Sequence, residues 1–380
     1  MNLLIHDLDE KRWEEVKSEY EGWSIVSDNG QIRPCSGCFS CWNKTPGECI
    51  IKDGYQNMGY IIHHSEEVVV ISRYTYGGFS GFVKNVFDRC LGYVLPQFEV
   101  VNGESHHQKR YAEDKPFTFI FYGNNLSEDD KKKAERYVKA VCTNIRGCVK
   151  NVEFREDKEE RKTNPRTGSC SSKTVILNAS MRYSTGNSFA FSEKLKALLE
   201  GKTETYNLCR YLNDLPSLVG NLSDCDRLVI CTPLYVDGLP SQLIRLFECF
   251  EKEYRGSDKK VYLLANMGLY ESRQFVNMFN AVKKWCKVMN FEYGGGLGIS
   301  AGELLGVLIQ KLPFEAGPCQ NAYNGIRHLA ETVNKKKVQS DEFAEPNAFP
   351  RSLYIGIANT NWRITAKRNG IRPSDLYRKL

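Results

Sequence analysis

The chain contains 380 residues, of which 41% are hydrophobic and 26% are charged, as expected for a globular protein long enough to form two domains. Its formal net charge of +6 arises within residues 351–380, where Lys and Arg far outnumber the single acid, Asp375. The rest of the chain is balanced, which excludes the broad basic footprint of a nucleic-acid-binding protein. We interpret the basic tail as a solvated, packed segment.

The cysteine content and the N-terminus indicate the cellular compartment. Fourteen cysteines in a chain of this length suggest a reducing environment with buried thiols rather than a disulfide framework. The N-terminal segment reaches His6 and Asp7 before any long apolar run, unlike a signal peptide. No run approaches the ~20 apolar residues of a membrane span. We therefore expect a soluble cytoplasmic protein with no membrane or nucleic-acid partner.

Apolar runs alternate with helical patterns along the chain, which predicts parallel strands connected by helices. The predicted strands of the first half are Leu3–Ile5, Trp23–Val26, Val68–Ser72, Phe117–Tyr122 and Val149–Phe154. Those of the second half are Thr174–Leu177, Thr203–Asn207, Arg227–Thr232, Val261–Ala265 and Phe291–Ile299. A polar segment over 156–172 is the predicted linker. The sequence thus predicts two five-stranded doubly wound α/β domains, 1–155 and 173–340, followed by a basic extension over 341–380.

The two halves also resemble each other. Residues 67–87 contain a buried strand, a turn with tyrosines and a helix, and residues 227–247 repeat this order. A repeat of this length indicates duplicated domains. Each half has one element that the other lacks. The second half has a long polar loop over 178–188, and the first half has a cysteine-rich loop between its second and third strands.

The loop over 178–188 joins the C-terminal end of a predicted strand to a helix that begins near Ser188. Such a junction presents unpaired backbone N–H groups and the positive end of the helix dipole to an anion. Polar side chains can add donors there, namely Ser180, Arg182, Ser184, Thr185, Asn187 and Ser188. The loop is a candidate phosphate site, with a polar turn that caps the helix as the alternative. Neither Gly-x-x-x-x-Gly-Lys-Ser/Thr nor Gly-x-Gly-x-x-Gly occurs, which disfavours NTPase and Rossmann enzymes.

The corresponding segment of the first half has the opposite character. Residues 7–15 carry five carboxylates against two bases and lead directly into a helix. A segment with this charge should repel a phosphate. We therefore expect a cofactor phosphate in the second half alone.

Cys35, Cys38, Cys41 and Cys49 lie close together in a loop rich in Gly, Pro and Asn. Gaps of two residues let successive sulfurs turn toward one point, which suits a soft metal centre better than a hydrophobic core. This tight spacing favours a compact iron–sulfur cluster. Free or redox-active thiols, a zinc site and a disulfide are the alternatives.

Three segments of the second half, 178–188, 232–243 and 266–271, resemble loops of the flavodoxin-like NAD(P)H-dependent FMN reductases. The resemblance implies that the first loop holds the FMN phosphate through Ser180, Arg182, Ser184, Gly186, Asn187 and Ser188. It implies that the other two approach the isoalloxazine ring through Pro233, Leu234, Tyr235, Val236, Asp237, Asn266 and Gly268. The chemistry would then be that of FMN with NAD(P)H as cosubstrate, and no protein side chain would be a catalytic acid or base.

The cysteine loop, with Trp42 and Pro46-Gly47-Glu48-Cys49, resembles the iron–sulfur flavoproteins of the same superfamily. Their motif binds a [4Fe–4S] cluster, which implies Cys35, Cys38, Cys41 and Cys49 as ligands. In the single-domain relatives the cluster and the flavin loops occur in one domain, whereas here each half has one of them. The chain is therefore similar to a fused pseudo-dimer over residues 1–335, with the tail after Phe349 outside the resemblance.

We expect, from these observations, a tandem flavodoxin-like oxidoreductase. It would take electrons from NAD(P)H or ferredoxin and pass them to a small-molecule or redox-protein acceptor. A non-catalytic FMN and iron–sulfur electron carrier is one alternative, and a zinc-stapled binding protein with a vestigial flavin site is another. The oligomeric state is open, with a homodimer as one option.

A hydrolase motif also occurs in the second half. Gly298-Ile-Ser300-Ala-Gly302 follows a predicted strand and fits Gly-x-Ser-x-Gly. A triad would need His328, with Glu303 or Glu315 as the acid. Because His328 lies on a predicted helix and the acid would have an unusual place, we consider hydrolysis disfavoured.

Overall fold

The chain forms two compact units in the computed structural model. The described residues are 1–157, 166–167, 171–255 and 259–380. The first unit contains Met1–Glu160 and Ile355–Leu380, and the second contains Arg161–Tyr354. The predicted linker over 156–172 lies largely outside the described residues. The predicted extension over 341–380 is divided between the units, because the end of the chain belongs to the first.

The first unit is built on a five-stranded parallel sheet in the order β2-β1-β3-β6-β7. The strands of the whole unit are β1 Leu3–His6, β2 Ser24–Ser27, β3 Val68–Arg73, β4 Val94–Val101, β5 Glu104–Lys109, β6 Pro116–Gly123 and β7 Cys148–Glu156. Strands β4 and β5 form a separate antiparallel hairpin. With the hairpin left aside, the order is the 2-1-3-4-5 arrangement of a flavodoxin-like sheet.

The helices of the first unit are α1 Glu10–Val16, α2 Ser40–Asn43, α3 Met58–His64, α4 Gly81–Arg89 and α5 Glu128–Asn144. Serine side chains cap the N-termini of two of these helices. Ser80 accepts the Val83 amide at the start of α4, and Ser127 forms a capping box with Asp130 at the start of α5. These caps satisfy N–H groups that a helix start leaves unpaired. All residues of α4 are buried, so this helix is central to the unit.

The second unit has a six-stranded sheet in the order β10-β9-β11-β13-β14-β15. Its strands are β8 Arg166–Thr167, β9 Thr174–Asn178, β10 Thr203–Asn207, β11 Arg227–Pro233, β12 Tyr254–Arg255, β13 Lys260–Asn266, β14 Glu292–Ile299 and β15 Glu342–Ala344. The strands of the main sheet are parallel. The short strands β8 and β12 pair with each other.

The remaining helices are α6 Asn187–Lys196, α7 Leu215–Ser223, α8 Ser241–Glu253, α9 Val276–Met289, α10 Gly302–Leu308, α11 Gln320–Asn334 and α12 Arg351–Arg368. Glycines let two of them approach β14 closely. A Cβ on Gly296 would lie 2.9 Å from the Phe279 ring of α9, and a Cβ on Gly325 of α11 would lie 2.7 Å from Leu297. Such close contacts leave no room for a larger side chain. No helix of the described chain is long and apolar enough to cross a bilayer.

The predicted α/β class with doubly wound parallel sheets is confirmed, and each predicted strand is present with slightly different ends. The prediction missed the hairpin of β4 and β5 and the sixth strand of the second sheet. Strand β15 has three residues, too few for an alternating pattern to be distinct. Strand β4 contains Pro96, and β5 is mostly polar, so neither forms a continuous apolar run.

Candidate functional site

The loop between β9 and α6 is shaped by its own polar side chains. The Asn178 amide group donates to Asn207 Oδ1 at 2.9 Å, and Asn178 Oδ1 accepts the Ser180 amide at 3.2 Å. Ser180 Oγ in turn accepts the Arg182 amide at 3.3 Å. Side chains that bond backbone amides two residues ahead stabilise tight turns. Asn178 was not selected as a site residue from the sequence, although an Asn two residues before a Ser at a strand end is a usable signal.

Helix α6 begins without a side-chain cap. Gly186 occupies the N-cap position, and no side chain bonds the first turn there. A Cβ on Gly186 would lie 2.5 Å from Ser180 Oγ, so this close approach requires glycine. Ser188 is buried, and its hydroxyl donates to Asn266 Oδ1 at 2.5 Å. The structure thus brings four expected phosphate and flavin residues together around an uncapped helix start, which favours an anion.

Asn266 also connects the second and third expected flavin loops. Its backbone carbonyl accepts the Leu234 amide at 2.8 Å. The pairing of β11 with β13 runs as far as Pro233 opposite Asn266, so both loops start at the same edge of the sheet. In open α/β folds, ligands bind at this carboxyl edge.

The second loop is a tight two-residue turn. Tyr235 and Gly238 exchange backbone hydrogen bonds of 3.1 and 3.0 Å. Both central residues have positive φ, 40° at Val236 and 56° at Asp237. Turns of this kind normally use Asn or Gly, and a β-branched residue in this region is strained. Strain of this type concentrates at binding loops, and both side chains are buried.

The third loop, after β13, is held by contacts from Tyr354 and Arg351, two residues that were not predicted from the sequence. The Tyr354 hydroxyl donates to the Gly268 carbonyl, and Arg351 pairs with Glu271 at 2.9 Å. Burial raises the pKa of Tyr354, and the Glu303 and Glu271 carboxylates add to the effect. The hydroxyl therefore stays protonated as a donor. Tyr354 lies beyond the resemblance, so no motif pointed to it.

Arg182, which is expected at the phosphate, lies near the carboxylate of Glu303, a residue considered above only as the acid of a hydrolase triad. Its Nη1 lies 3.6 Å from Glu303 Oε1, and the two side chains are 33% and 48% exposed. An ion pair this exposed is worth little, so a stronger anion could replace Glu303. Ser184 is exposed at the surface of the loop. The Asn187 side chain packs against Gly306, where a Cβ would lie 2.2 Å from its Oδ1.

The cysteine loop is anchored by Trp42. The indole Nε1 donates to the carbonyls of Leu91 and Val94 at 2.9 and 3.0 Å. The Trp42 ring stacks on Phe39, with centroids 5.4 Å apart, and Trp362 of α12 packs edge-on against both rings. An aromatic ring that is buried with its N–H paired holds a loop firmly.

A buried ion pair also holds this loop. The Arg89 guanidinium donates to both Asp53 oxygens at 2.7 and 2.9 Å, and to the carbonyls of Arg33 and Ile51 at 2.6 and 3.2 Å. The side chains of Arg89 and Asp53 are 0% and 7% exposed. Burial acts to raise the pKa of Asp53, but the hydrogen bonds from Arg89 and from the backbone amides of Arg33 and Tyr55 together outweigh it and hold the pKa below its usual value.

The four cysteines of the loop are free thiols with different environments. Burial, followed by the charge of Asp88, raises the pKa of Cys35 to about 12. Burial also raises the pKa of Cys41 well above its usual value, and the charges of the neighbouring cysteines add to this. For Cys38, hydrogen bonds from adjacent serines outweigh burial and lower the pKa. Burial thus favours the thiol form of Cys35 and Cys41, whereas hydrogen bonds favour the thiolate form of Cys38.

Within the described residues, no group of three or more His, Cys, Asp or Glu side chains is arranged to hold a metal ion. The geometry therefore gives no support for an iron–sulfur cluster or a zinc ion at Cys35, Cys38, Cys41 and Cys49, and their role as ligands stays a prediction. The disulfide alternative is not realised, because all four are free.

The hydrolase motif lies beside the third loop, but its serine and the candidate histidine contact other residues. The Ser300 hydroxyl donates to the Ala344 carbonyl at 3.4 Å, and His328 contacts Glu342. An activated serine would need an imidazole as its hydrogen-bond acceptor. The contacts therefore give hydrolysis no support.

Comparisons with known proteins return structural similarity only. No family model and no curated protein matches this chain. An FMN-dependent NADH-azoreductase from Bacillus anthracis in complex with FMN is 16% identical, with a TM-score of 0.33, over 43% of this chain and 100% of that chain. An oxidoreductase from Corynebacterium diphtheriae is 15% identical, with a TM-score of 0.33, over 44% of this chain and 97% of that chain. An azoreductase from Bacillus anthracis str. Sterne has 15% identity and a TM-score of 0.31, over 43% of this chain and 100% of that chain. Similarity this low does not establish a family, so the fold assignment rests on strand order.

Proposed function

We propose that the chain is an FMN-dependent oxidoreductase that takes electrons from NAD(P)H and passes them to a small-molecule or redox-protein acceptor. The observation that carries this proposal is the convergence of three loops at the carboxyl edge of the second sheet, joined through Asn266. Ligands bind at this edge in open α/β folds. The same three loops carry the sequence resemblance to FMN reductases.

The start of α6 suits the phosphate of FMN. A phosphate monoester needs several donors and positive potential. The amides that follow Gly186, the Ser180 hydroxyl and the Arg182 guanidinium can supply both, with Glu303 released from its exposed ion pair. Ser188 is a positioning residue in this proposal, because its hydroxyl is given to Asn266.

The turn at Val236 and Asp237 suits the ring of FMN. Bound FMN supplies hydride acceptance and electron transfer. The chain orients and shields the ring: buried Val236 excludes water, and half-buried Tyr235 offers an aromatic surface. The Tyr354 hydroxyl keeps the Gly268 carbonyl fixed beside them. No proton transfer from the protein is required.

The proposal contains no iron–sulfur step. Cys35, Cys38, Cys41 and Cys49 do not form a metal-holding group within the described chain. The role proposed for the cysteine loop is a thiol role or a structural one. An iron count on protein purified without oxygen checks this directly, and stoichiometric iron would contradict it.

Anaerobic purification followed by stopped-flow absorbance tests the proposal. We expect a visible flavin spectrum, or stoichiometric uptake of added FMN, and bleaching of the flavin band by NADH or NADPH. A protein that neither contains nor binds FMN would overturn the proposal. A bound flavin that both nucleotides leave oxidised would instead favour the non-catalytic electron carrier.

A further inference from the structure

Helix α12 is anchored to the first unit on its inner side. Trp362 packs edge-on against Phe39 and Trp42, with ring centroids 5.6 and 5.4 Å apart. Asn359 exchanges hydrogen bonds with the backbone of Phe98, at 2.7 Å to its amide and 3.1 Å to its carbonyl. The helix is therefore held in one orientation against the cysteine loop and the β4 strand.

The residues after α12 are fixed as well. The Asn369 side chain donates to the Asn43 carbonyl at 2.9 Å. Buried Arg110 donates to the carbonyls of Leu376 and Arg378 at 2.9 and 2.5 Å. The expectation of a packed tail thus agrees with these contacts, although the tail packs by its backbone and apolar side chains. Arg351 and Arg372 of the tail pair with Glu271 and Asp375, at 2.9 and 3.1 Å.

The outer side of α12 has an unusual composition for a solvated helix. Exposed residues recur at helical spacing along this side, and neighbours three and four apart share one surface. We call the surface formed by Ile357, Arg363, Ile364, Lys367 and Arg368 the α12 outer face. The two isoleucines are 44% and 43% exposed.

The charges of the α12 outer face are not neutralised locally. Among the described residues, Arg363, Lys367 and Arg368 have no ion-pair partner. Cations in the last turn of a helix are favourable for the dipole, which accounts for Lys367 and Arg368. The dipole explains neither Arg363 nor the exposed isoleucines. An apolar centre beside unpaired arginines is typical of a protein–protein interface.

We propose that the α12 outer face is the docking site of an acidic protein. Because the proposed function is electron transfer, on which this inference rests, the partner is an acidic electron carrier of the ferredoxin class. Complementary charge steers such partners together and orients them. A lipid surface fits less well, because Thr360 and Asn361 lie between the isoleucines and would enter the apolar layer with them.

Binding of an oxidised, acidic two-cluster ferredoxin to the full-length protein tests the proposal. Affinity is measured by biolayer interferometry at about 50 and 300 mM salt, between which screening strengthens markedly. We expect K367E/R368E to weaken binding by about tenfold or more, and I364S to weaken it less. The matched control is K132E/K139E, which reverses two exposed cations on α5 of the same unit and should leave the affinity unchanged.

Four results would overturn the proposal: no binding by the unmodified protein, equal losses in both double variants, no salt dependence, or binding to vesicles with anionic lipid in place of ferredoxin. FMN content and reduction by NAD(P)H are measured on the same samples. K367E/R368E should keep both, since neither residue is part of the flavin loops. A protein without FMN that still binds ferredoxin through this face would refute the proposed function and leave the docking site standing.

Discussion

The two units share a strand order and a turn, and they differ in how the first helix begins. Thr75 and Gly78 exchange two backbone hydrogen bonds, as Tyr235 and Gly238 do, and both turns have central residues with positive φ. In the first unit the Asp9 carboxylate caps α1. In the second unit α6 has no side-chain cap. A duplicated fold therefore presents a closed helix start in one copy and an open one in the other.

The units also differ in what covers one face of the sheet. In the second unit α11 contributes to the main core. Within the described residues, no helix follows β7 in the first unit before β8. The first sheet has its own apolar cluster, which includes Val69, Ile71 and Ile120. Beside it, Thr118 and Lys150 both donate to Glu67, at 3.3 and 2.8 Å.

The largest expected effect comes from breaking the buried ion pair of Arg89 with Asp53 in the first unit. Arg89→Met should destabilise the protein by about 3 kcal/mol or more, because Asp53 and two carbonyls would stay buried without their partner. The repeat places half-buried Cys249 at the corresponding position of the second unit. Cys249→Ala should cost about 1 kcal/mol or less. Urea unfolding measures both, and equal midpoints for the two variants would contradict the prediction.

The same pair predicts a pH dependence. Folding lowers the pKa of Asp53, because burial is outweighed by the hydrogen bonds from Arg89 together with those from the Arg33 and Tyr55 amides. Its contribution to stability is therefore complete above the usual Asp pKa and is lost as the pH falls through the lower folded value. Unfolding of the unmodified protein and of R89M/D53N should become more alike below about pH 4. A gap that is constant with pH would show that Asp53 is not the group involved.

The next effect concerns α11, the helix that covers the second sheet. Gly325→Ala should destabilise the protein by about 1–3 kcal/mol, because the new Cβ would lie 2.7 Å from Leu297 in a packed core. Gly220→Ala in α7 is the matched control, since its Cβ would meet nothing within 4 Å. The control should be neutral or stabilising by about 1 kcal/mol. Thermal unfolding of the two variants tests this prediction, and a similar loss of stability in both would contradict the close packing of α11 on β14.

A smaller effect tests which unit binds the phosphate. Arg182→Ala should weaken FMN binding by about tenfold, the loss of one charge-assisted contact. Arg12 lies in the corresponding segment of the first unit, paired with Asp9 and Asp157. Arg12→Ala should leave FMN affinity unchanged. Quenching of FMN fluorescence gives both values, and a loss with Arg12→Ala would move the phosphate site to the first unit.

The smallest effect concerns the carboxylate beside Arg182. Glu303→Gln should tighten FMN binding by about threefold, because a competing charge 3.6 Å from the guanidinium is removed. Glu315→Gln changes an exposed acid of the same unit and is the control. The same fluorescence titration applies at low salt, where exposed charges act most strongly. Weaker binding in Glu303→Gln would mean that Glu303 supports the site instead of competing for it.

Local pattern predicted much of the fold and the position of the loops. The strands around Val70, Val229 and Leu263 could be recognised because buried parallel strands are continuous apolar runs bounded by polar segments. The loop with Ser180, Gly186 and Ser188 could be recognised because its composition matches its place between a strand and a helix. Pairings across long chain separations, such as Ser188 with Asn266, had no such local signal.

The cysteine spacing shows the limit of a motif. Four closely spaced cysteines predicted convergence on a metal, but the orientation of each sulfur depends on the backbone that Trp42, Arg89 and Asp53 hold in place. Sequence spacing limits how far apart the sulfurs can be and does not set their directions. The contact between Arg182 and Glu303 could not be predicted either, because the two residues lie far apart in the chain and meet only in the folded unit.

The sequence by itself determined the order of the strands along the chain and the duplication, and it predicted the half in which an anion would bind, because these features depend on spacing and charge within short segments. The tertiary structure decided that Trp42 and Arg89 anchor the cysteine loop, that Tyr354 fixes the Gly268 carbonyl, and that the tail packs with Arg363, Lys367 and Arg368 exposed. These outcomes join residues far apart in the chain, and the packing of whole elements sets such contacts.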